Sequence, residues 1–333
     1  MLEVTGSIPV SPTITIMNLV ISLIILMSMS LFSVDITIPS GASAKWVSQH
    51  LKESGIVSSP NLFYLYLRAN QLTNQIHQGS FHIPKESSFK DIANIITGKT
   101  PQWITVTIPE GLTLDEILSI LKEKKIISDI NAFKSYLSTM PVHTIDPTLK
   151  NSPQVYEGLF FPDTYYFGKR SSNEQVYNAF INQTKKELIA IYKSQSNPKL
   201  NFYDTLILAS IIEKEAGTKT EMPTISGVFH NRLTKKMYLA SCPTVGYALG
   251  EPRKKQLTYK DLDVQSPYNT YRQKGLPPTP IASPGKRAFI AALNPEDTPY
   301  FYFVSKNDGT GTHVFSRTLK EHVAHQKRIQ NLN

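Results

Sequence analysis

The sequence predicts an α+β protein, on three observations: an uncharged apolar segment near the N-terminus, a strand–helix unit that occurs twice in the first half, and a mixed helix-and-strand region after residue 200. The 333 residues, 41% hydrophobic and 18% charged, carry enough apolar material for about two domains of ordinary size. A disordered polyelectrolyte is excluded by the low charged fraction, and no collagen-like or low-complexity tract occurs. One cysteine, Cys242, rules out an intrachain disulfide and a zinc site built on several thiolates. The net charge of +9 predicts attraction to polyanions, whether nucleic acid, anionic headgroups or an acidic envelope polymer.

Residues 14–32, ITIMNLVISLIILMSMSLF, carry no charge and at about 1.5 Å per residue span roughly the 30 Å of a hydrocarbon core. They read as one transmembrane helix. The absence of a polar face and the N-terminal position speak against a buried core helix. A cleaved signal peptide is the rival, opposed by the lack of any Lys or Arg before the segment and of a small-x-small site after Met29. No basic residue precedes Lys45, so the positive-inside rule sets no orientation, and an exported body is permitted.

Placing residues 36–63 over 106–133, a gap-free shift of seventy, aligns ITIPSGASAKWVSQHLKESGIVSSPNLF with VTIPEGLTLDEILSILKEKKIISDINAF. In each copy an alternating strand ends at Pro39 or Pro109, Gly41 or Gly111 turns the chain, and Ser43 or Thr113 caps a helix. Glu116 completes a capping box with Thr113. Further on, GSFHIP at 79–84 matches GLFFP at 158–162, each before another helical stretch. The unit is therefore strand, helix, helix, strand, helix. Two tandem modules are expected at 34–100 and 103–195, and the remaining region at 200–333. They either bind a repetitive polymer or only support the rest.

After the polar break QSNPKLN, residues 202–216 (FYDTLILASIIEKEA) read as a helix stopped at Gly217. With Glu215 at zero on the helical wheel, Leu208, Ile211 and Ile212 fall within about 60° of it, whereas Glu213 lies opposite. A carboxyl on the apolar face loses hydration, its pKa rises, and it stays protonated as a general acid requires. The alternative is a buried structural Glu paired with Arg232 or a Lys.

Downstream stand VFHNRL at 228–233, PTVGYALG at 243–250, SPYNTYRQKGLPPTPIASPG at 266–285, YFYFV at 300–304 and HVFS at 313–316. With IPEG at 108–111 and EGLFFPDTYYF at 157–167, these motifs give a chain that resembles the endolytic murein transglycosylases of the YceG-like family from the apolar segment to the C-terminus. The resemblance implies a single-pass inner-membrane protein with a periplasmic body and a first module similar to LysM repeats. It also implies lytic cleavage between N-acetylmuramic acid and N-acetylglucosamine within peptidoglycan glycan strands, and collaboration with peptidoglycan synthases. The family's catalytic glutamate, the second of the EKE motif, falls on Glu215. Where the family commonly has Asp before PT, this chain has Cys242, which weakens any scheme with a carboxylate there.

Hydrolytic glycosidases use two carboxylates, but a lytic enzyme can manage with one that serves as acid and then as base. The rest of such a site orients a sugar, a task for amides, hydroxyls and aromatic faces, and no metal or cofactor is expected. Asn231, Tyr268, Asn269, Thr270 and Tyr271 are the candidates for substrate binding, each with a packing or turn role as its alternative. The GLPPTP loop, headed by Gly275, could form a cleft wall. His313 is expected on a strand after a hairpin turn, bonded to backbone, and His322 and His325 on the solvated face of a terminal helix capped by Thr318 and Glu321. No P-loop, Rossmann glycine pattern or G-x-S-x-G elbow occurs. A non-catalytic murein-binding membrane anchor is the main rival; a nucleic-acid binder would require a cytoplasmic body.

Overall fold

The seventy-residue shift in sequence is a seventy-residue shift in structure. The computed structural model describes residues 33–84, 87–98, 103–149, 155–168, 171–254 and 256–331. The expected membrane segment 14–32 lies outside them, and no described helix is long and apolar enough to cross a membrane. In the first copy β1 (Ser33–Ile38) runs into a turn at Gly41, whose φ is +78°. The helix α1 (Ala44–Glu53) follows, with Ser43 Oγ accepting from Trp46 N at 3.2 Å. Next come α2 (Pro60–Ala69), β2 (Gly79–Pro84) and α3 (Phe89–Ile96). In the second copy β3 (Trp103–Thr107) precedes Gly111, also at φ +78°, and α4 (Leu114–Glu123) opens with the Thr113–Glu116 capping box. Both α4 and α5 (Ile130–Thr139) repeat α1 and α2 residue for residue. β4 (Thr164–Gly168) and α6 (Asn173–Thr184) close the copy, α6 running on through a π turn at Lys185–Ile189 and a last turn at Ala190–Lys193. Each copy holds one antiparallel pair, Ile36 opposite Phe81 in the first and Val106 opposite Tyr165 in the second.

One element departs from the expected repeat. GLFFP is not the second strand of its copy; TYYFG is. Leu159, Phe160 and Phe161 are buried in succession, which a strand with alternating faces cannot arrange. In TYYFG burial alternates, with Tyr165 and Phe167 inside and Tyr166 outside. Gly158 sits at φ +77°, and a Cβ there would lie 2.6 Å from the Pro280 ring, so glycine lets the chain turn against its neighbour.

The described residues form two compact units, divided after residue 102. The first has its own core, centred on Ile36, Leu51, Phe63, Leu67, Ile83 and Ile92. In the second, residues of the 103–195 stretch and of the C-terminal region share one core, Leu118, Phe160 and Phe180 being continuous with Phe202, Phe229 and Phe289. The spine of that unit is α7 (Phe202–Glu215), buried from Phe202 to Ile212 at every position but Asp204. It packs against α8 (Met222–Thr234), α9 (Cys242–Ala248) and most extensively α10 (Lys286–Leu293). A hairpin, β5 (Tyr302–Ser305) and β6 (His313–Ser316), and α11 (Leu319–Gln330) complete it. His322 and His325 do not form a solvated face: His322 stacks on Tyr302 with ring centroids 5.4 Å apart, and His325 Nδ1 meets Ser316 Oγ at 3.0 Å. α11 packs on the hairpin, and these rings are part of its contact face.

Candidate active site

Glu215 owes its environment to its place in α7 more than to its face. A helix buried all round has no single apolar stripe; its last turn leaves the core and carries both Glu213 and Glu215. The helix dipole is negative there, and desolvation, the largest cause in both residues, pushes both carboxyls above the ordinary carboxylate range. Burial alone therefore does not separate them. Their partners do. Glu213 Oε2 accepts the Gly285 N–H at 2.9 Å and pins a loop to the helix. Ser283 of that loop exchanges backbone bonds with Gly111 and Leu112, at 2.8 and 2.7 Å. Glu213 holds the scaffold together.

Glu215 faces the opposite way, towards the start of α9. Ser241 Oγ donates to its Oε1 at 2.6 Å, and the Cys242 N–H and the charges of His313 and Arg232 also favour the ionised form, each less than burial disfavours it. Among the described residues no cation lies within ion-pair distance of Glu215. Arg232, the expected partner of a structural glutamate, spends its hydrogens elsewhere. Its Nε donates to Phe301 O at 2.6 Å, Nη1 to Leu239 O at 2.5 Å, and the guanidinium lies 5.3 Å from the Tyr302 ring centre.

The loop that follows α7 meets the hairpin at a close approach of two glycines: a Cβ on Gly217 would fall 2.2 Å from Gly311 O. This contact accompanies His313, which is bonded to a carboxylate and not, as expected, to backbone. Glu221 Oε2 meets His313 Nδ1 at 2.9 Å, and its oxygens also accept the His313 backbone N–H at 3.0 and 3.2 Å. Glu221 stands six residues beyond Glu215, at the head of α8.

The five candidate substrate residues divide. Thr270, 1% exposed, supports Ser241 from behind: its Oγ1 accepts the Ser241 N–H at 3.0 Å and bonds Thr244 Oγ1 at 2.8 Å, and its carbonyl accepts the Ala240 N–H. Tyr271 is half-buried, its hydroxyl 3.1 Å from Cys242 Sγ, and it feels the charge of Glu215. Asn269 is fully enclosed, its amide donating to Leu262 O and Val264 O at 2.9 Å and its oxygen accepting from Tyr271 N. Asn231 donates both amide hydrogens, to Thr298 O at 2.7 Å and Tyr300 O at 2.9 Å. The Tyr268 hydroxyl bonds Thr279 Oγ1 at 2.8 Å, and its ring packs on Tyr247. Tyr271 thus stands beside Glu215 and Thr270 behind its Ser241 partner, while Thr270, like Asn231, Asn269 and Tyr268, spends the polar atoms named here on protein partners. Sequence reasoning missed Ser241 and Glu221; a serine before a Cys-Pro pair and a glutamate before a helix carry no signal of their own.

An unpaired, desolvated carboxyl held by one hydroxyl is a general acid's setting. The sequence profile of the YceG-like family matches residues 36–328. The chain belongs to the YceG-like family. It is 36% identical over 315 residues to the endolytic murein transglycosylase of Bacillus subtilis, covering 90% of this chain and 86% of that protein. It is 28% identical to the endolytic murein transglycosylase of Streptococcus pneumoniae, over 87% of this chain and 58% of that longer protein. Among solved structures, a YceG-like protein of Listeria monocytogenes superposes with a TM-score of 0.59 at 33% identity, over 89% of this chain and 99% of that one.

Proposed function

We propose that this YceG-like protein cleaves peptidoglycan strands internally by transglycosylation, with Glu215 as acid and then base. The observation that carries the reading is the half-buried Glu215 carboxyl, raised in pKa by burial, free of an ion pair within the described residues and bonded by Ser241. Protonated Glu215 gives its proton to the glycosidic oxygen while the bond to the muramic C1 breaks towards an oxocarbenium-like state. The C6 hydroxyl oxygen of the same muramic residue then closes on C1, and its proton passes to the carboxylate. Glu215 ends protonated, as it began. The products are a 1,6-anhydromuramic end and a free N-acetylglucosamine end; no water is consumed, which makes the enzyme a lyase. The curated relatives bear the name of that activity.

In this reading residues 14–32 anchor the chain in the inner membrane, the body is periplasmic, and the first module, similar to LysM repeats, binds murein. Work beside peptidoglycan synthases, cutting nascent strands to length, belongs to the same reading through the family resemblance. The apolar segment and the +9 charge support it. The test is the mass of the products released from purified glycan strands: anhydro ends are lighter than reducing ends by one water, and reducing ends alone would refute the lytic reading.

The bond from Ser241 supplies a graded test. It favours the carboxylate, so Ser241→Ala raises the Glu215 pKa further. Cleavage needs the protonated acid and falls as pH rises through that pKa, so the alkaline limb of kcat/KM moves to higher pH in the variant. A pH–rate profile whose limb stays in place, or moves down, contradicts the role given to Ser241.

A further inference from the structure

Glu157 is a buried carboxyl with no part in the reaction, and it stands on an insertion. The α5–β4 connection runs from Met140 to Asp163, whereas its counterpart in the first copy, the α2–β2 connection, needs only Asn70 to Gln78. The first copy closes the same fold without these residues, so the repeat does not require them. They bring Glu157 to α9.

Glu157 joins α9 to the start of α4. Its Oε1 accepts the Leu114 N–H, the first of α4, at 2.8 Å, and Tyr247, in the last turn of α9, donates to its Oε2 at 3.0 Å. Arg253, just beyond α9, forms an ion pair with Glu116, also in the first turn of α4. The far end of α9 and the chain that leaves it are thus both fastened to α4. The near end of α9 carries the partner of Glu215. Ser241 is the N-cap residue, yet its hydroxyl does not cap the helix; it donates to Glu215 at 2.6 Å. The seven residues between these ends span about 10 Å. Thr244, Val245 and Gly246 among them are buried, and a Cβ on Gly246 would lie 3.0 Å from Glu251 O, so the helix has no slack within it. A second path joins the same two ends: the Tyr247 ring packs on Tyr268 at 4.9 Å between centroids, and Thr270, two residues on, accepts the Ser241 N–H at 3.0 Å. A hydrogen bond weakens steeply outside a narrow range of distance and angle. The hold on Glu215 therefore depends on where α9 lies.

We propose that Glu157 is a positioning residue for the reaction: through Tyr247 it sets α9, and through α9 it sets the Ser241 hydroxyl on Glu215. The inference rests on the transglycosylase reading of Glu215. The insertion in the second copy gives α9 its second support, and the second module thereby takes part in the reaction without touching the sugar.

Tyr247→Phe removes the hydroxyl that meets Glu157 and keeps the ring that packs on Tyr268. Ser241→Ala removes the bond at the other end of α9. The release of anhydro ends by the full chain is followed across pH for wild type, both single variants and the double variant. The other groups that act on Glu215, namely the Cys242 N–H, His313, Arg232 and Tyr271, are common to all four proteins, as are Asp115, Tyr203 and Tyr268 around Glu157. Tyr247→Phe moves the alkaline limb of kcat/KM upwards by about half a pH unit, the size of a partly lost hydrogen bond. The shift has the sign of the Ser241→Ala shift and does not exceed it, because the same bond is weakened. In the Ser241→Ala background Tyr247→Phe moves the limb no further, the non-additivity of two residues that act through one contact. Glu157→Ala reproduces the Tyr247→Phe shift, and Glu157→Gln, whose amide still bridges Leu114 and Tyr247, returns the limb towards wild type; if the alanine variant does not fold, the cycle of Tyr247 and Ser241 decides alone. A limb unmoved by Tyr247→Phe, or shifts of the two single variants that add in the double, overturns the proposal while the transglycosylase reading stands. Failure of wild type to release anhydro ends refutes that reading instead.

Discussion

Glu215→Gln lowers the rate of murein cleavage by about 10²–10⁴-fold, the usual contribution of a positioned acid–base group. Glutamine matches glutamate in volume and keeps an oxygen for the Ser241 hydroxyl at the position now 2.6 Å away, but it carries no proton to give to a leaving oxygen. The fold does not suffer. Burial raises the Glu215 pKa, so the native site disfavours the charged form, and a neutral amide removes that penalty at alkaline pH. The expected result is therefore a protein at least as stable as wild type that releases almost no anhydromuramic ends. Stability is read from thermal unfolding at pH 8 and activity from product mass. A variant that cuts strands at the wild-type rate would move the chemistry to another residue.

The second large effect concerns stability. Glu157, 5% exposed, is pushed up to about 7, chiefly by burial and against the bonds from Leu114 and Tyr247. Its folded pKa stands above that of an unfolded glutamate, about 4.3. Below that value the folded and unfolded chains both hold the proton, and the contribution to stability is fully present. Between about 4.3 and 7 the unfolded chain ionises first and stability declines with rising pH, by about 4 kcal/mol in all. Glu157→Gln keeps an acceptor for the Leu114 N–H and abolishes this slope, so the variant matches wild type near pH 4 and exceeds it near pH 8. Glu213 and Glu215, both raised, leave a residual slope of the same sign. Denaturant unfolding across pH 4–8 measures the difference, and parallel curves for the two proteins would contradict it.

Much of the architecture was legible because it is encoded locally. The turn at Gly41 and Gly111, the caps at Ser43 and Thr113 and the helices that follow depend on residues within one or two turns of each other, so the repeat could be read by laying one stretch on another. The misplaced second strand marks where local reading stops. GLFFP resembles GSFHIP in composition, yet three consecutive large side chains are drawn into a core whose other half comes from residues far along the chain. For the same reason His322 looked solvated in a polar helix and proved to be stacked on Tyr302 of the hairpin.

The candidate site divides along the same line. Glu215 could be singled out from its motif, and helical geometry agreed; the structure keeps it desolvated but traces this to the end of a fully buried helix. Thr270 and Tyr271 reach its surroundings, whereas Asn231 and Asn269 are committed to main-chain carbonyls, a difference no side-chain type reveals. Ser241 and the Glu221–His313 pair were invisible because each joins segments separated by 26 and 92 residues.

By itself the sequence determined the family and the duplicated module and singled out Glu215 as the candidate, since motif order and short-range periodicity are properties of the chain. Only the tertiary structure decided that Glu213 meets the Gly285 N–H while the Ser241 hydroxyl holds Glu215, and that Glu157 is enclosed between Leu114 and Tyr247. Desolvation and pairing depend on what long-range packing brings within about 3 Å of a group, and distance along the chain does not report that.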